Sequence, residues 1–284
     1  MSATTSLASS RGPLGLIAGN GRFPFLVAAA ARRAGRRVVA VAIKEETAPE
    51  LASDVDEIHW VHLGQLGKAI ASLKAAGAAE AVMAGQVKHK QIFAGIVPDL
   101  TLVAVLARLA FKNTDSLIGG VADALQREGI TLRPSTELLA DHLATPGPMT
   151  KRKPTGAEEK DVEYGRAVAH HLAAMDLGQT VVVKERAAVA LEAMEGTDEV
   201  IVRAGRLAGP GTVVVKVAKP KQDMRFDVPV IGPGTLAAMR EARAVTLAVE
   251  AGRTLLLDRP AFLAEADRDG VVVVGFVVSR TPSS

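Results

Sequence analysis

The densest concentration of reactive side chains in this 284-residue sequence is Lys219-Pro220-Lys221-Gln222-Asp223-Met224-Arg225-Phe226-Asp227-Val228-Pro229. Two prolines disfavour a helix here, so an extended chain is expected. Alternate side chains of an extended chain share a face. Lys219, Lys221, Asp223, Arg225 and Asp227 would then line one side, with Met224, Phe226 and Val228 turned to the core. Carboxylates interleaved with cations suit a metal-bridged phosphate, in which Asp oxygens hold Mg2+ while Lys and Arg neutralise phosphate oxygens. The competing reading is an edge strand whose charges discourage aggregation.

A second polar cluster is Glu192-Ala193-Met194-Glu195-Gly196-Thr197-Asp198. Gly196 is expected as the C′ stop of a preceding helix, with Thr197 or Asp198 capping the next element. Asp198 and Glu195 could otherwise supply further oxygen ligands. Two glycine-bearing stretches could meet a phosphate: the loop around Gly19, Asn20 and Gly21, and Gly85-Gln86-Val87-Lys88-His89. Glycine lets the backbone approach a ligand, and a helix N-terminus offers N–H groups to an anion. Pro24 occupies the place of the third glycine of a dinucleotide fingerprint, which argues against NAD. A strand-to-helix turn that needs glycine for positive φ explains the first loop equally well.

These side chains need a frame. Short apolar runs at 14–18, 38–43, 58–61, 80–84 and 130–133 read as strands. Helical periods fall at 24–34, 66–76, 102–111 and 117–127. Strands apolar on both faces, separated by helices, predict a parallel sheet covered on both sides. Residues 13–144 are therefore expected to form a Rossmann-like domain behind a disordered tail at 1–12. The Pro/Gly/Lys-rich stretch 145–158 is expected as a linker. Residues 159–284 should then form a mixed α/β domain, with helices at 162–175, 187–194, 235–244 and 259–266. Strands are expected at 180–184, 213–218, 246–249, 254–257 and 271–276. The fold class is α/β throughout.

Hydrophobic residues at 48% and charged residues at 23% describe an ordinary globular chain. Cysteine is absent, which removes disulfides, thiolate zinc sites and thiol nucleophiles and suits a reducing compartment. Aromatic residues are only 3%, too few for base-stacking platforms. A net charge of +3 spread along the chain gives no basic stripe, so no nucleic acid partner is expected. No apolar run reaches membrane-spanning length, and the first residues lack a signal-peptide core. A cytoplasmic location is expected. The basic Lys151-Arg152-Lys153 triplet could meet anionic headgroups. No histidine pair has metalloprotease spacing, and no nucleophile elbow or P-loop occurs.

The pattern Lys219-Pro220-x-Gln222-Asp223-x-Arg225-Phe226-Asp227-x-Pro229, followed by Ile231-Gly232-Pro233-x-Thr235, resembles a bacterial UDP-2,3-diacylglucosamine pyrophosphatase family of lipid A biosynthesis. The opening Gly15–Pro24, Asp176–Gln179 and Glu192–Asp198 stretches are similar to it as well; residues 146–156 match no motif. The resemblance implies a Rossmann-like domain, a C-terminal domain of unusual fold, and lipid held between them. It implies water attack on the β-phosphorus of UDP-2,3-diacylglucosamine, giving UMP and 2,3-diacylglucosamine 1-phosphate with a divalent cation such as Mg2+. Carried onto this chain, Asp227 and Asp223 are metal ligand and water orienter in an order left open. Lys219, Gln222 and Arg225 clamp phosphates, and Asp198 lies near the metal. Gly19, Asn20, Gly21, Gly85, Gln86, Lys88 and Thr197 are the expected substrate contacts. A transient visit to the inner face of the inner membrane is implied, and homodimerisation stays open. The rival functions are a non-catalytic nucleotide sensor and a nicotinamide-dependent oxidoreductase.

Overall fold

The computed structural model describes residues 12–87, 97–109, 114–220 and 222–278. They form two compact units. One runs to Ala140 and also takes in Met224–Phe226; the other comprises Asp141–Asp223 and the chain from Asp227 onward.

The first unit is built on five parallel strands, β1 (Leu14–Ala18), β2 (Val38–Ile43), β3 (Glu57–Val61), β4 (Glu80–Ala84) and β5 (Thr131–Leu132), in the order β3-β2-β1-β4-β5. The helices between them are α1 (Phe23–Arg33), α2 (Leu66–Ala75), α3 (Leu100–Leu106) and α4 (Thr114–Arg127). Continuous apolar strands such as Val38–Ile43 require cover on both faces. Ile70, Leu73, Leu102, Val105 and Leu125 supply it on one face, packing with Val39 and Val41. Strand order reverses between β1 and β4, the point at which open α/β sheets leave a crevice at their carboxyl ends.

The second unit contains β6 (Gly147–Pro148), β7 (Thr180–Lys184), β8 (Ala187–Leu191), β9 (Val213–Lys216), β10 (Val230–Ile231), β11 (Thr246–Glu250), β12 (Leu255–Leu256) and β13 (Val272–Phe276). Six of these make a mixed sheet ordered β6-β13-β11-β9-β7-β8, and β10 pairs with β12 apart from it. Strands β9, β11 and β13 are parallel; β7, β8 and β6 each run antiparallel to their neighbours. Helix α5 (Gly156–Ala174) packs Ala169, Leu172 and Ala173 on Val181, Val183, Val213 and Val215. On the other face α6 (Thr197–Ala208), α7 (Pro233–Ala242) and α8 (Arg259–Arg268) bury Ile201, Leu236, Met239 and Phe262 against Val182, Val214, Leu247 and Val273. The period-two alternation of the valine runs thus feeds two separate apolar layers.

Three expectations are corrected. Residues 187–194 were expected as a helix, but 187–191 form strand β8. Glu185 and Arg186 both adopt positive φ, 52° and 58°, which turns the chain tightly into an antiparallel hairpin and overrides the helix propensity of the alanines. Gly196 does not stop a helix; at φ 88° it stands just before α6, whose apolar period at Val200, Ile201 and Ala204 was not read from the sequence. The 219–227 stretch is not an extended ladder. The Gln222 amide donates to the Lys219 carbonyl at 3.1 Å and the Asp227 amide to the Asp223 carbonyl at 2.9 Å, so the segment turns twice.

Residues 145–158, expected as a linker, are built into the second unit. Gly147–Pro148 pairs with β13, and the Arg152 guanidinium reaches Glu158 and the Val245 carbonyl. Thr155 caps α5 in a reciprocal box with Glu158.

Candidate active site

Strand β9 ends on a lysine, and the pleat decides where that lysine points. Val215 faces α5, so Val214 and Lys216 face the layer of α6 and α7. On the antiparallel neighbour, Thr180 is the register partner of Lys216 and shares that face. Helix α6 begins over the pair. The Lys216 ammonium donates to the Thr197 hydroxyl at 2.6 Å, and Thr180 Oγ1 lies 3.3 Å from the same oxygen. Thr197 in turn donates to Glu192 Oε1 at 2.9 Å, while the other Glu192 oxygen accepts from the Gln179 amide at 3.1 Å. Both Lys216 and Glu192 are buried. Thr197, an expected substrate contact, is therefore engaged with protein on both its donor and acceptor sides.

Burial pulls the Lys216 ammonium below the usual lysine range, and Glu192, Asp198 and Asp227 oppose that pull with their negative charge. The charges of three carboxylates from the two polar clusters thus act on one buried lysine. Asp198 sits in the first turn of α6, where its Oδ1 accepts from the Thr235 hydroxyl of α7 at 3.0 Å. A Cβ added at Gly234 would lie 2.8 Å from Asp198 Oδ2, so glycine is what admits that carboxylate.

The loop after β9 is anchored from the opposite face. The Ala218 amide donates to the buried Glu250 carboxylate at 2.9 Å, and Glu250 also pairs with Arg253 at 3.2 Å. Arg253 reaches back to the Lys219 carbonyl, and the Lys219 amide donates to Gln222 Oε1 at 2.8 Å. Lys219 Nζ pairs with Asp176 at 2.6 Å. The side-chain amide nitrogen of Gln222 and the side-chain oxygen of Gln179 are buried without a hydrogen-bond partner.

The structure therefore draws Thr197, Asp198 and Asp227 around Lys216 and ties Lys219 to Gln222; Asp223 joins Asp227 through the backbone turn. Arg225 lies in Met224–Phe226, which groups with the first unit, where Phe226 packs against the β-sheet core. Lys88 and Lys221 lie outside the described residues. Sequence reasoning passed over Lys216 as the last polar residue of a valine strand. Its partners, Thr180 on the neighbouring strand and Thr197 at the start of α6, are distant in sequence, so no local spacing marks it.

In the first unit the two glycine stretches meet each other. The Asn20 amide donates to the Gln86 carbonyl at 2.8 Å and Gln86 returns the bond at 3.2 Å. A Cβ at Gly19 would come within 2.6 Å of the Gln86 carbonyl oxygen, and one at Gly85 within 2.6 Å of the Asn20 carbonyl oxygen. Gly85 also holds φ at 94°, and Gly21 at 92°. This bridge joins the carboxyl ends of β1 and β4, at the strand-order switch.

Among the described residues no three His, Asp or Glu side chains converge as a preformed metal cage. Mg2+ commonly takes one or two carboxylates and completes its shell with water and substrate phosphates. Asp198 and Asp227 are carboxylates of the type such a sparse donor set uses.

A parallel-sheet domain of Rossmann-like order, joined to a mixed α/β domain with a buried lysine hydrogen-bonded to a helix-start threonine, defines a two-domain α/β protein with a polar site in its second domain. The LpxI N-terminal domain family matches residues 13–142 and the LpxI C-terminal domain family residues 145–274. The UDP-2,3-diacylglucosamine pyrophosphatase LpxI of Caulobacter vibrioides is 32% identical over 280 residues, 95% of this chain and 99% of that protein. This chain belongs to the LpxI family.

Proposed function

We propose that this chain hydrolyses the pyrophosphate of UDP-2,3-diacylglucosamine, releasing UMP and 2,3-diacylglucosamine 1-phosphate in lipid A biosynthesis. The observation that carries the reading is similarity along nearly the whole chain to a pyrophosphatase named for that substrate. The clustered Lys216, Asp198 and Asp227 suit phosphoryl chemistry, which asks for positioned charge more than covalent catalysis.

Water adds to the β-phosphorus, the bond from that phosphorus to the bridging oxygen breaks, and the bridging oxygen leaves on UMP. Asp227 and Asp223 divide two tasks, holding a divalent cation and orienting the attacking water. Asp198 lies beside Lys216 as a further oxygen donor. Mg2+ is the cation proposed, and when bound it supplies charge neutralisation and a more acidic water. Lys219 and Gln222 reach phosphate oxygens, the buried Gln222 amide nitrogen having a donor to offer. The bridged loops of Gly19–Gly21 and Gly85–Gln86 are the proposed nucleotide contacts of the first unit. A diacylated substrate brings the enzyme transiently to the cytoplasmic face of a membrane; among the described residues no helix is long and apolar enough to cross one.

The test is incubation with UDP-2,3-diacylglucosamine and Mg2+ while UMP is followed chromatographically, with and without excess EDTA. UMP release that EDTA stops is expected. Binding without turnover would favour a nucleotide sensor. Undiminished turnover in EDTA would remove the metal from the mechanism.

A further inference from the structure

We propose that Lys216 is a catalytic residue of the second unit, its ammonium donating to a phosphoryl oxygen of the bound pyrophosphate; this rests on the hydrolase reading above. It lies outside the Glu192–Asp198 stretch and the charged 219–227 segment, although within the matched C-terminal domain. The case is one of unfinished hydrogen bonding. An ammonium has three donors, and among the described residues Lys216 spends one, on the neutral Thr197 hydroxyl. Its side chain lies in a residue only 5% exposed, so water cannot make up the difference freely.

Among the described residues no ion pair completes it either. Glu192 accepts from the Thr197 hydroxyl and the Gln179 amide, and Asp198 accepts from the Thr235 hydroxyl. The negative charges of Glu192, Asp198 and Asp227 oppose the loss of the Lys216 proton that burial favours. A buried cation held with open donors is costly unless an anionic oxygen arrives. The elements hold it rigidly: β9 is an interior strand, Thr180 flanks Lys216 in register, and α6 begins directly over it. Thr197 is then a positioning residue, acting through Lys216 and not by touching substrate.

The experiment labels lysine side chains with 15N and follows Nζ resonances as inorganic pyrophosphate is added, with Mg2+ and without it. The Lys216 signal is assigned by its loss in Lys216→Arg. It should shift on titration, and Lys216→Met should abolish pyrophosphate binding by calorimetry while lowering kcat/KM for UDP-2,3-diacylglucosamine by about 100-fold or more. Should Met at this buried position unfold the domain, Lys216→Arg and Thr197→Val carry the kinetic comparison, each expected to lower kcat/KM at least tenfold. An unmoved Lys216 resonance while pyrophosphate binds, or a parent chain that does not bind it, overturns the assignment. So does a folded Lys216→Met within threefold of parental kcat/KM, and in that case the hydrolase reading stands. A parent that binds pyrophosphate through Lys216 yet releases no UMP overturns the hydrolase reading instead.

Discussion

The Thr235 hydroxyl donates to the Asp198 carboxylate at 3.0 Å, joining the first turns of two helices. Gly234 beside it leaves room for the second carboxylate oxygen, which an added Cβ would meet at 2.8 Å. Asp198 is therefore aimed by its neighbours. Removing a hydrogen bond to a charged group costs about 1.5–3 kcal/mol. Thr235→Val and Gly234→Ala are expected to lower kcat roughly tenfold or more, while melting only several degrees below the parent and staying folded at the assay temperature. Parental kcat in both variants would place Asp198 outside the reacting centre.

Asp227 has a different expectation. It lies in a turn in place of a strand, so its carboxylate contributes little to either apolar layer. Asp227→Ala should lower kcat by on the order of 100-fold or more, because the loss falls on transition-state charge. Binding of the diacylated substrate should persist. Single-turnover rates paired with equilibrium binding check this. Hydrolysis at the parental rate would reassign the site, and loss through unfolding alone would make the carboxylate structural.

In the first unit, glycine at the loop bridge is required by space as well as by dihedral angle. Gly85→Ala forces a Cβ against the Asn20 carbonyl and strains a φ of 94°. It should destabilise by about 1–3 kcal/mol. Gly119 on α4 has nothing within 4 Å of an added Cβ, and Gly119→Ala should stabilise by up to about 1 kcal/mol through helix propensity. Thermal unfolding of the two variants separates these signs. Equal melting temperatures would mean that the bridge is not a constraint.

Glu158 gives a pH-dependent prediction. Burial would raise its pKa, but hydrogen bonds from Arg152 and the Thr155 amide, with the Arg152 charge, outweigh that and hold it below the usual carboxylate range. A depressed folded-state pKa means the unfolded chain takes up the proton first as pH falls. The stabilisation is thus present above about pH 4.5, the unfolded value, and disappears as pH drops through the lower folded value. Arg152 is partly solvent-facing, so screening limits the effect to about 1 kcal/mol. Glu158→Gln keeps the capping geometry and removes the titration. Urea midpoints at about pH 7 and about pH 3.5 should therefore converge between parent and variant at the lower pH. A constant gap would assign the effect to packing.

The first unit was largely legible because its strands are apolar on both faces and its helices have clean periods; Leu14–Ala18, Val38–Ile43 and Glu80–Ala84 fall where those patterns put them. The second unit was less so. Ala187–Leu191 has helix-forming composition, and only the two positive-φ residues before it make it a strand. Neither Glu185 nor Arg186 announces such a turn by type. The period of Val200, Ile201 and Ala204 was present but lay behind a cluster read for its charges. The acids of the site were visible as unusual side chains close together in sequence. Lys216 was not, since its meaning comes from cross-strand pairing with Thr180 and from a helix that starts 19 residues earlier. Non-local pairing of that kind leaves no spacing to read.

The most direct measurement is hydrolysis of UDP-2,3-diacylglucosamine by the purified chain in 18O-labelled water, with mass analysis of both products. Release of UMP free of label, with 18O in the phosphate of 2,3-diacylglucosamine 1-phosphate, is the predicted result, because water attacks the β-phosphorus and the bridging oxygen departs on UMP. Label in UMP would overturn the direction of attack, and no UMP from folded protein supplied with Mg2+ would contradict the hydrolase account itself.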